Sequence, residues 1–301
     1  MKMNRNTIEK GGENPMDNEL VSPKIDVVFK KVFGEKDILG EFLSDILEIP
    51  KTDISELRIV PQELVPDDAS GKFCRLDLNL KVKDKLINVE IQLRRQEDYR
   101  DRALFYWAKL FTSELKSGEP YGDLKKTITI SIMDFNLFKH EQYCCEVVPV
   151  VKGTDEIYSD KFGMYFFELR KVNKEIDRND RRKLWMQFLN ANDKEAFDMI
   201  NQTEAPAIQH AVQLIYDMSE DAVMREKVRL REKAMHDEAS FLATARNEGI
   251  EIGEKKGRAE GRAEGRAEGI EIGEEKAKNR LIEKWRKQGK TEQEIADLLA
   301  D

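Results

Sequence analysis

Two adjacent segments, RLDLNLKV (75–82) and KLINVEIQL (85–93), alternate apolar and polar residues with period two. That period marks half-buried strands. A tight turn at Lys83 and Asp84 pairs them antiparallel. Leu76 then faces Ile91, Leu78 faces Val89 and Leu80 faces Ile87. The other face sets Asp77 against Glu90, Asn79 against Asn88 and Arg75 against Gln92. Upstream, Ser22 and Pro23 predict a helix start as cap and first residue. That helix carries Ile25, Val28, Phe29, Val32 and Phe33, and Gly34 ends it. A second helix presents Ile38, Leu39, Phe42, Leu43, Ile46 and Leu47 as one stripe. ISELRIVPQELV (54–65) reads as a short strand or an irregular link. After the hairpin, a helix is predicted from about residue 98 to 116, stopping near Gly118. Its apolar face is Ala103, Leu104, Trp107, Leu110, Phe111 and Leu115, with Arg102 and Tyr106 one turn apart on a flank. Three further strands follow, in KKTITISIMDF (125–135), CEVVPVV (145–151) and GMYFFELRKV (163–172).

From about residue 179 the periodicity is helical, with segments opened by Trp185, Phe188 and Leu189 and then covering 194–202, 205–217 and 220–247. Glycines at 249, 253, 257, 261, 265, 269 and 273 then recur every fourth position around a GRAE unit. Arg, Ala and Glu favour helix, but each interior Gly costs about 0.8–1 kcal/mol. On an ideal helix the glycine row drifts about 40° per repeat. A fixed seam would need a right-handed overwind. Two readings stay open: a solvated, charge-laced spacer, or a self-association helix packed through the glycines. The last segment reads as a helix, a turn at Gly289 and a short helix capped by Thr291 and Glu294.

The chain has 301 residues, 40% of them hydrophobic, enough for one sizeable core with attachments. Charged residues reach 37% and the net charge is −8. Such a chain is a poor generic binder of nucleic acid, so any nucleic-acid contact needs a local basic patch. The three cysteines, Cys74, Cys144 and Cys145, form no C-x-x-C pair. A disulfide framework or structural zinc is therefore not expected. No segment approaches the roughly 20 apolar residues of a membrane span. The expected location is the cytoplasm. His140, His210 and His236 are scattered, and no phosphate-binding glycine loop is present.

Asp77 and Glu90 carry the candidate chemistry. Directly opposed carboxylates repel unless something positive lies between them. A divalent cation would serve, and two acids holding such an ion is a phosphodiester-cleaving arrangement. The plainer reading is a polar hairpin face open to water. Helices on both flanks argue against it, because a covered acidic pair needs a metal or protons.

DVVFKKVFG (26–34), RLDLNLKV, NVEIQ (88–92), DRALFYWAKL (101–110), SGEPYGDLKKTITISIMDF (117–135) and GKTEQEIADLL (289–299) together resemble the Rpn family. These are bacterial recombination-promoting nucleases, also described as transposases, within the PD-(D/E)XK superfamily. The resemblance implies an α/β fold with a restriction-endonuclease-like mixed sheet flanked by helices, followed by a helical C-terminal region. With the residue pattern, the chain divides into a flexible tail (1–20), a nuclease-like domain (21–172), a helical region (173–248), the glycine repeat (249–275) and a C-terminal helical hairpin (276–301). The resemblance implies a Mg²⁺-dependent DNA endonuclease, with Mn²⁺ as substitute, acting in recombination, mobile-element biology or phage defence. Carried over, Asp77 and Glu90 are metal ligands, with the Ile91 carbonyl a third. Gln92, where many superfamily members have Lys, can orient the attacking water only by hydrogen bonds. Asp26 matches an auxiliary acid, although its plain role is at a helix start, with Lys30 one turn on as its partner. Arg102, Tyr106 and Arg75 are the DNA-contacting candidates. Glu41 matches no motif residue, and Trp107 is core by spacing. Two rivals remain. One is an inactive nuclease fold that binds DNA or protein. The other is an oligomeric scaffold built on the C-terminal helices; a variant of the nuclease reading has that region restrain the enzyme.

Overall fold

The computed structural model describes residues 20–54, 57–60, 63–64, 74–75, 77–113, 115 and 117–300. The tail reading for residues 1–20 and the Leu76–Ile91 pair lie outside them, save for Leu20 and Ile91. Two short helices lead, α1 (Asp26–Val32) and α2 (Lys36–Leu47). Helix α1 starts later than Ser22 and Pro23 predict. Residues 22–25 first close a turn, with the Ile25 N–H donating to the Ser22 carbonyl at 3.1 Å, and no side chain caps the helix. Gly34 follows where an added Cβ would lie 2.8 Å from the Lys30 carbonyl oxygen, so the chain turns away there. All six predicted stripe residues of α2 are buried.

Strands β1 (Arg58–Val60), β2 (Glu63–Leu64), β3 (Cys74–Arg75), β4 (Leu78–Val82) and β5 (Lys85–Gln92) come next. The β4–β5 ladder has the predicted register, Leu78 to Val89, Asn79 to Asn88 and Leu80 to Ile87. Lys83 makes the turn with φ +51°. Arg75 departs from expectation. It pairs with Glu63 in a separate ribbon of β2 and β3, not with Gln92. The ladder ends because the Asp77 carboxylate takes the Ile91 N–H at 3.1 Å, the donor a longer backbone ladder would use.

Helix α3 spans Tyr99–Thr112, and β6 (Lys126–Met133), β7 (Cys144–Val147) and β8 (Phe162–Glu168) complete a six-stranded sheet in the order β1-β4-β5-β6-β8-β7. Strands β5, β6 and β8 are mutually parallel, while β1, β4 and β7 run antiparallel to their neighbours. A mixed sheet flanked by helices is the expected class. Alternation divides its two faces. Leu78, Leu80, Val82, Ile87, Val89, Ile91, Ile128, Ile130 and Ile132 share one buried face. The other carries Asn79, Asn88, Glu90, Thr127, Thr129 and Ser131, polar yet also buried. Helix α3 supplies its cover. Trp107 stacks on Phe111 at 4.7 Å and donates its indole N–H to the Thr127 carbonyl at 2.9 Å; it is half-buried and packs against the core rather than within it. Leu104 is not core; it is 51% exposed, because the helix turns only a narrow edge to the sheet.

Helices α4 (Arg181–Asn190), α5 (Lys194–Asn201) and α6 (Pro206–Glu220) pack an aromatic core with α1 and α2. Trp185 meets Phe42 edge-on at 5.5 Å and donates to Asp45 at 2.7 Å. Helix α7 then runs unbroken from Ala222 to Lys287, and α8 covers Glu292–Ala300. Residues to Glu232 form one compact unit; Lys233–Asp301 form a second. The glycine repeat is therefore helical and exposed, laced by i,i+4 ion pairs such as Glu251–Lys255 and Glu254–Arg258. An added Cβ on any of its seven glycines meets nothing within 4 Å. Gly257→Ala combined with Gly261→Ala is expected to stabilise this helix by about 0.8–1 kcal/mol per site, read by circular dichroism on heating. Lower helicity together with a smaller mass by light scattering would instead show that the glycines pack against another helix. As expected, Thr291 and Glu294 exchange hydrogen bonds at the start of α8. No helix among the described residues is long and apolar enough to cross a membrane.

Candidate active site

Asp77 immediately precedes β4, and Glu90 follows Val89, whose pairing with Leu78 is the last of the β4–β5 ladder. On its other side Glu90 pairs with Ser131 of β6. Glu90 is buried, and its carboxylate oxygens accept hydrogen bonds from Asn88 and Gln92, each at 3.2 Å. Burial first, and then the nearby Asp77 charge, push its carboxyl up to about 7. Those two neutral donors do not outweigh desolvation. Tyr99 of α3, also buried, bonds to Ser131, and burial raises its phenol above the usual range.

A small cavity of about 10 Å³, room for roughly one water, lies between the strands and α3. Asn88, Glu90, Thr129 and Ser131 line it from the sheet, and Tyr99, Arg102, Ala103 and Tyr106 from the helix. The Asn88 Oδ1 and Thr129 Oγ1 atoms are buried there without a hydrogen-bond partner among the described residues. Buried polar atoms left in this state cost about 1–3 kcal/mol each unless a water or ion reaches them.

Asp77 is not among the residues lining this cavity, and its side chain is partly exposed. One of its oxygens accepts the Ile91 N–H, and the other lies 3.5 Å from the Lys30 ammonium of α1. The Ile91 carbonyl projects to the same strand edge as its N–H. Lys30 was expected to pair with Asp26. Instead Asp26 faces Arg231 of α7 at 2.9 Å. The D-x-x-F-K segment thus brings its lysine, not its acid, to the pair. The i,i+4 spacing shows only that the two share a helix face, not which one meets the sheet.

Arg102 sits over the rings of Tyr99 and Tyr106, at 5.3 and 5.8 Å, and bonds to Gln96. Glu41 is engaged by Lys51 and Arg181. Of Arg75 only the backbone is described. Sequence reasoning missed Tyr99, Ser131 and Thr129; the one signal for Ser131 and Thr129 was the polar alternation within Ile-rich β6, and Tyr99 of α3 had none. Among the described residues no group of three or more His, Cys, Asp or Glu side chains gathers to hold a metal. The donors at the pair are hard oxygens: two carboxylates and a main-chain carbonyl. Mg²⁺ and Mn²⁺ are bound through one or two carboxylates with water filling the other positions. The residues present therefore fit such an ion, whose charge would relieve the Asp77–Glu90 repulsion.

The family described as PD-(D/E)XK nuclease family transposase matches residues 23–245, well over half of the chain. No curated protein and no solved structure gives a match.

Proposed function

The chain belongs to the PD-(D/E)XK nuclease family transposases, and on that premise we propose that it is a divalent-metal-dependent endonuclease that hydrolyses phosphodiester bonds in DNA. The supporting observation is Glu90: a buried carboxylate, raised to about 7 by burial and by the nearby Asp77 charge. Buried like charges persist where a cation completes them. Asp77, Glu90 and the Ile91 carbonyl are the proposed ligands of Mg²⁺, with Mn²⁺ as substitute. When bound, such an ion lowers the pKa of water and stabilises charge on phosphate oxygens. The chain's own groups set the geometry. Gln92 holds one Glu90 oxygen and Asn88 the other. The Ile91 amide fixes the Asp77 rotamer. Lys30, 3.5 Å from Asp77, is the proposed cation for the entering phosphate, in place of a lysine at position 92. Arg102 and Tyr106 are proposed DNA contacts from α3. Asp26, held by Arg231, takes no part in metal binding. The proposed setting is the cytoplasm, in recombination, mobile-element or phage-defence processes.

Plasmid nicking with Mg²⁺, Mn²⁺ and EDTA tests this. Cutting that needs the metal is expected from the wild type; tight DNA binding without cutting in any metal would contradict it. Lys30→Met is expected to slow nicking by roughly 10–100-fold, while Mn²⁺ affinity by calorimetry holds or rises, since a competing cation has left Asp77. An unchanged rate would remove Lys30 from the mechanism. A second reading has one observation in its favour. The described oxygens of Asp77 and Glu90 already have protein partners, as in an inactive nuclease fold that only binds DNA or protein. The scaffold reading rests on α7 and on the glycine substitutions above.

A further inference from the structure

Strands β5, β6 and β8 run parallel, so their carboxyl ends leave the sheet at one edge. Open α/β sheets bind ligands at that edge. Here Leu93, Arg94, Arg95, Phe135, Asn136 and Arg170 line a cleft of about 450 Å³. Arg94 and Arg95 are exposed and follow directly on the strand that carries Glu90 and Gln92. Arg170, just beyond β8, is 61% exposed, and its Nε lies 3.3 Å from Asp134. The same carboxylate takes Lys24 at 2.9 Å, so one acid meets two cations. No carboxylate lines the cleft among the described residues, in a chain of net charge −8.

We propose that this cleft binds the phosphate backbone of DNA beside the bond that is cut. Arg94, Arg95 and Arg170 take up the phosphates, and Asp134 holds Arg170 in position. The inference rests on the nuclease reading of Asp77 and Glu90. Guanidinium groups suit the task, because their planar fork matches phosphate oxygens two at a time. Distance fits as well. Arg94 is four residues past Glu90, at most about 13 Å along extended chain, or about four steps of duplex. The cleft thus supplies a local basic surface in a chain of net charge −8.

Fluorescence anisotropy with a labelled DNA duplex tests the proposal, using the full chain in EDTA so that nothing is cut. Salt is varied between about 50 and 200 mM. Replacing all three arginines by alanine is expected to weaken binding by roughly 100-fold and to reduce the log–log salt slope by about 2–3; each single change should remove about 0.9. Arg170→Lys, which keeps the charge, should retain the slope. The exposed pair Arg178→Ala and Lys194→Ala is the control and should change neither quantity. Unchanged binding in the triple variant, or an equal loss in the control, overturns the proposal. Nicking in Mg²⁺ separates the two claims. A triple variant that binds normally while the wild type cuts defeats the cleft and spares the nuclease. DNA binding lost with the arginines in a protein that never cuts defeats the nuclease and spares the cleft.

Discussion

Asp77→Asn and Glu90→Gln are each expected to reduce metal-dependent DNA cleavage by about 10³-fold, the scale of losing a main electrostatic element of a phosphoryl-transfer site. Neither change should unfold the protein. Asp77 is partly exposed, and asparagine keeps an oxygen for the Ile91 amide. Glutamine at position 90 removes a charge that burial disfavours. Activity would fall while thermal stability of the metal-free protein holds or rises, and that opposition separates a functional acid from a structural one. Nicking rates alongside melting temperatures for the three proteins provide the check. Cleavage by either variant within a few-fold of wild type would show that the acid plays no part in the chemistry.

A second large effect is the pH dependence of metal-free stability. Glu90 has an ordinary value of 4.5 and is pushed to about 7 in the fold. The folded state therefore prefers the protonated carboxyl. Its stability contribution is fully present below about 4.5 and is lost as pH rises through 7. The loss is roughly 3 kcal/mol by alkaline pH. For a unit of this size that corresponds to a melting temperature lower by very roughly 6–12 °C. Other groups titrate too, so the measurement is a difference. In EDTA the wild type should fall away from Glu90→Gln between about pH 5 and pH 8. Millimolar Mg²⁺ should restore the wild type at the alkaline end. Parallel curves for the two proteins would mean that Glu90 is not strained by its surroundings.

Much of the hairpin can be read from the sequence, for a local reason. Alternation over Asp77–Leu80 and Ile87–Glu90, joined by a two-residue turn, leaves one register that puts leucine against valine and isoleucine. The structure has that register. What could not be read is long-range or competitive. Arg231 lies 205 residues from Asp26, and no periodicity announces their pairing. Arg75 was assigned a partner by extending the ladder, but an aspartate side chain took the amide that the extension needed. Leu104 matched the apolar spacing of α3, yet α3 covers the sheet with Tyr99, Ala103 and Leu110. For the glycine repeat, propensity weighed against an isolated helix. The helix that forms carries ion pairs one turn apart along its exposed faces. The basic cleft escaped notice because Arg94, Arg95 and Arg170 meet only when three parallel strands end together.

The central claim is that two facing carboxylates on a hairpin hold a divalent cation. Calorimetric titration of Mn²⁺ into metal-free protein tests it without reference to any substrate. Saturable binding by the wild type, weakened at least about tenfold by Asp77→Ala and by Glu90→Ala, is the predicted result. Heat that stays at the dilution level, or binding that both substitutions leave intact, would contradict it.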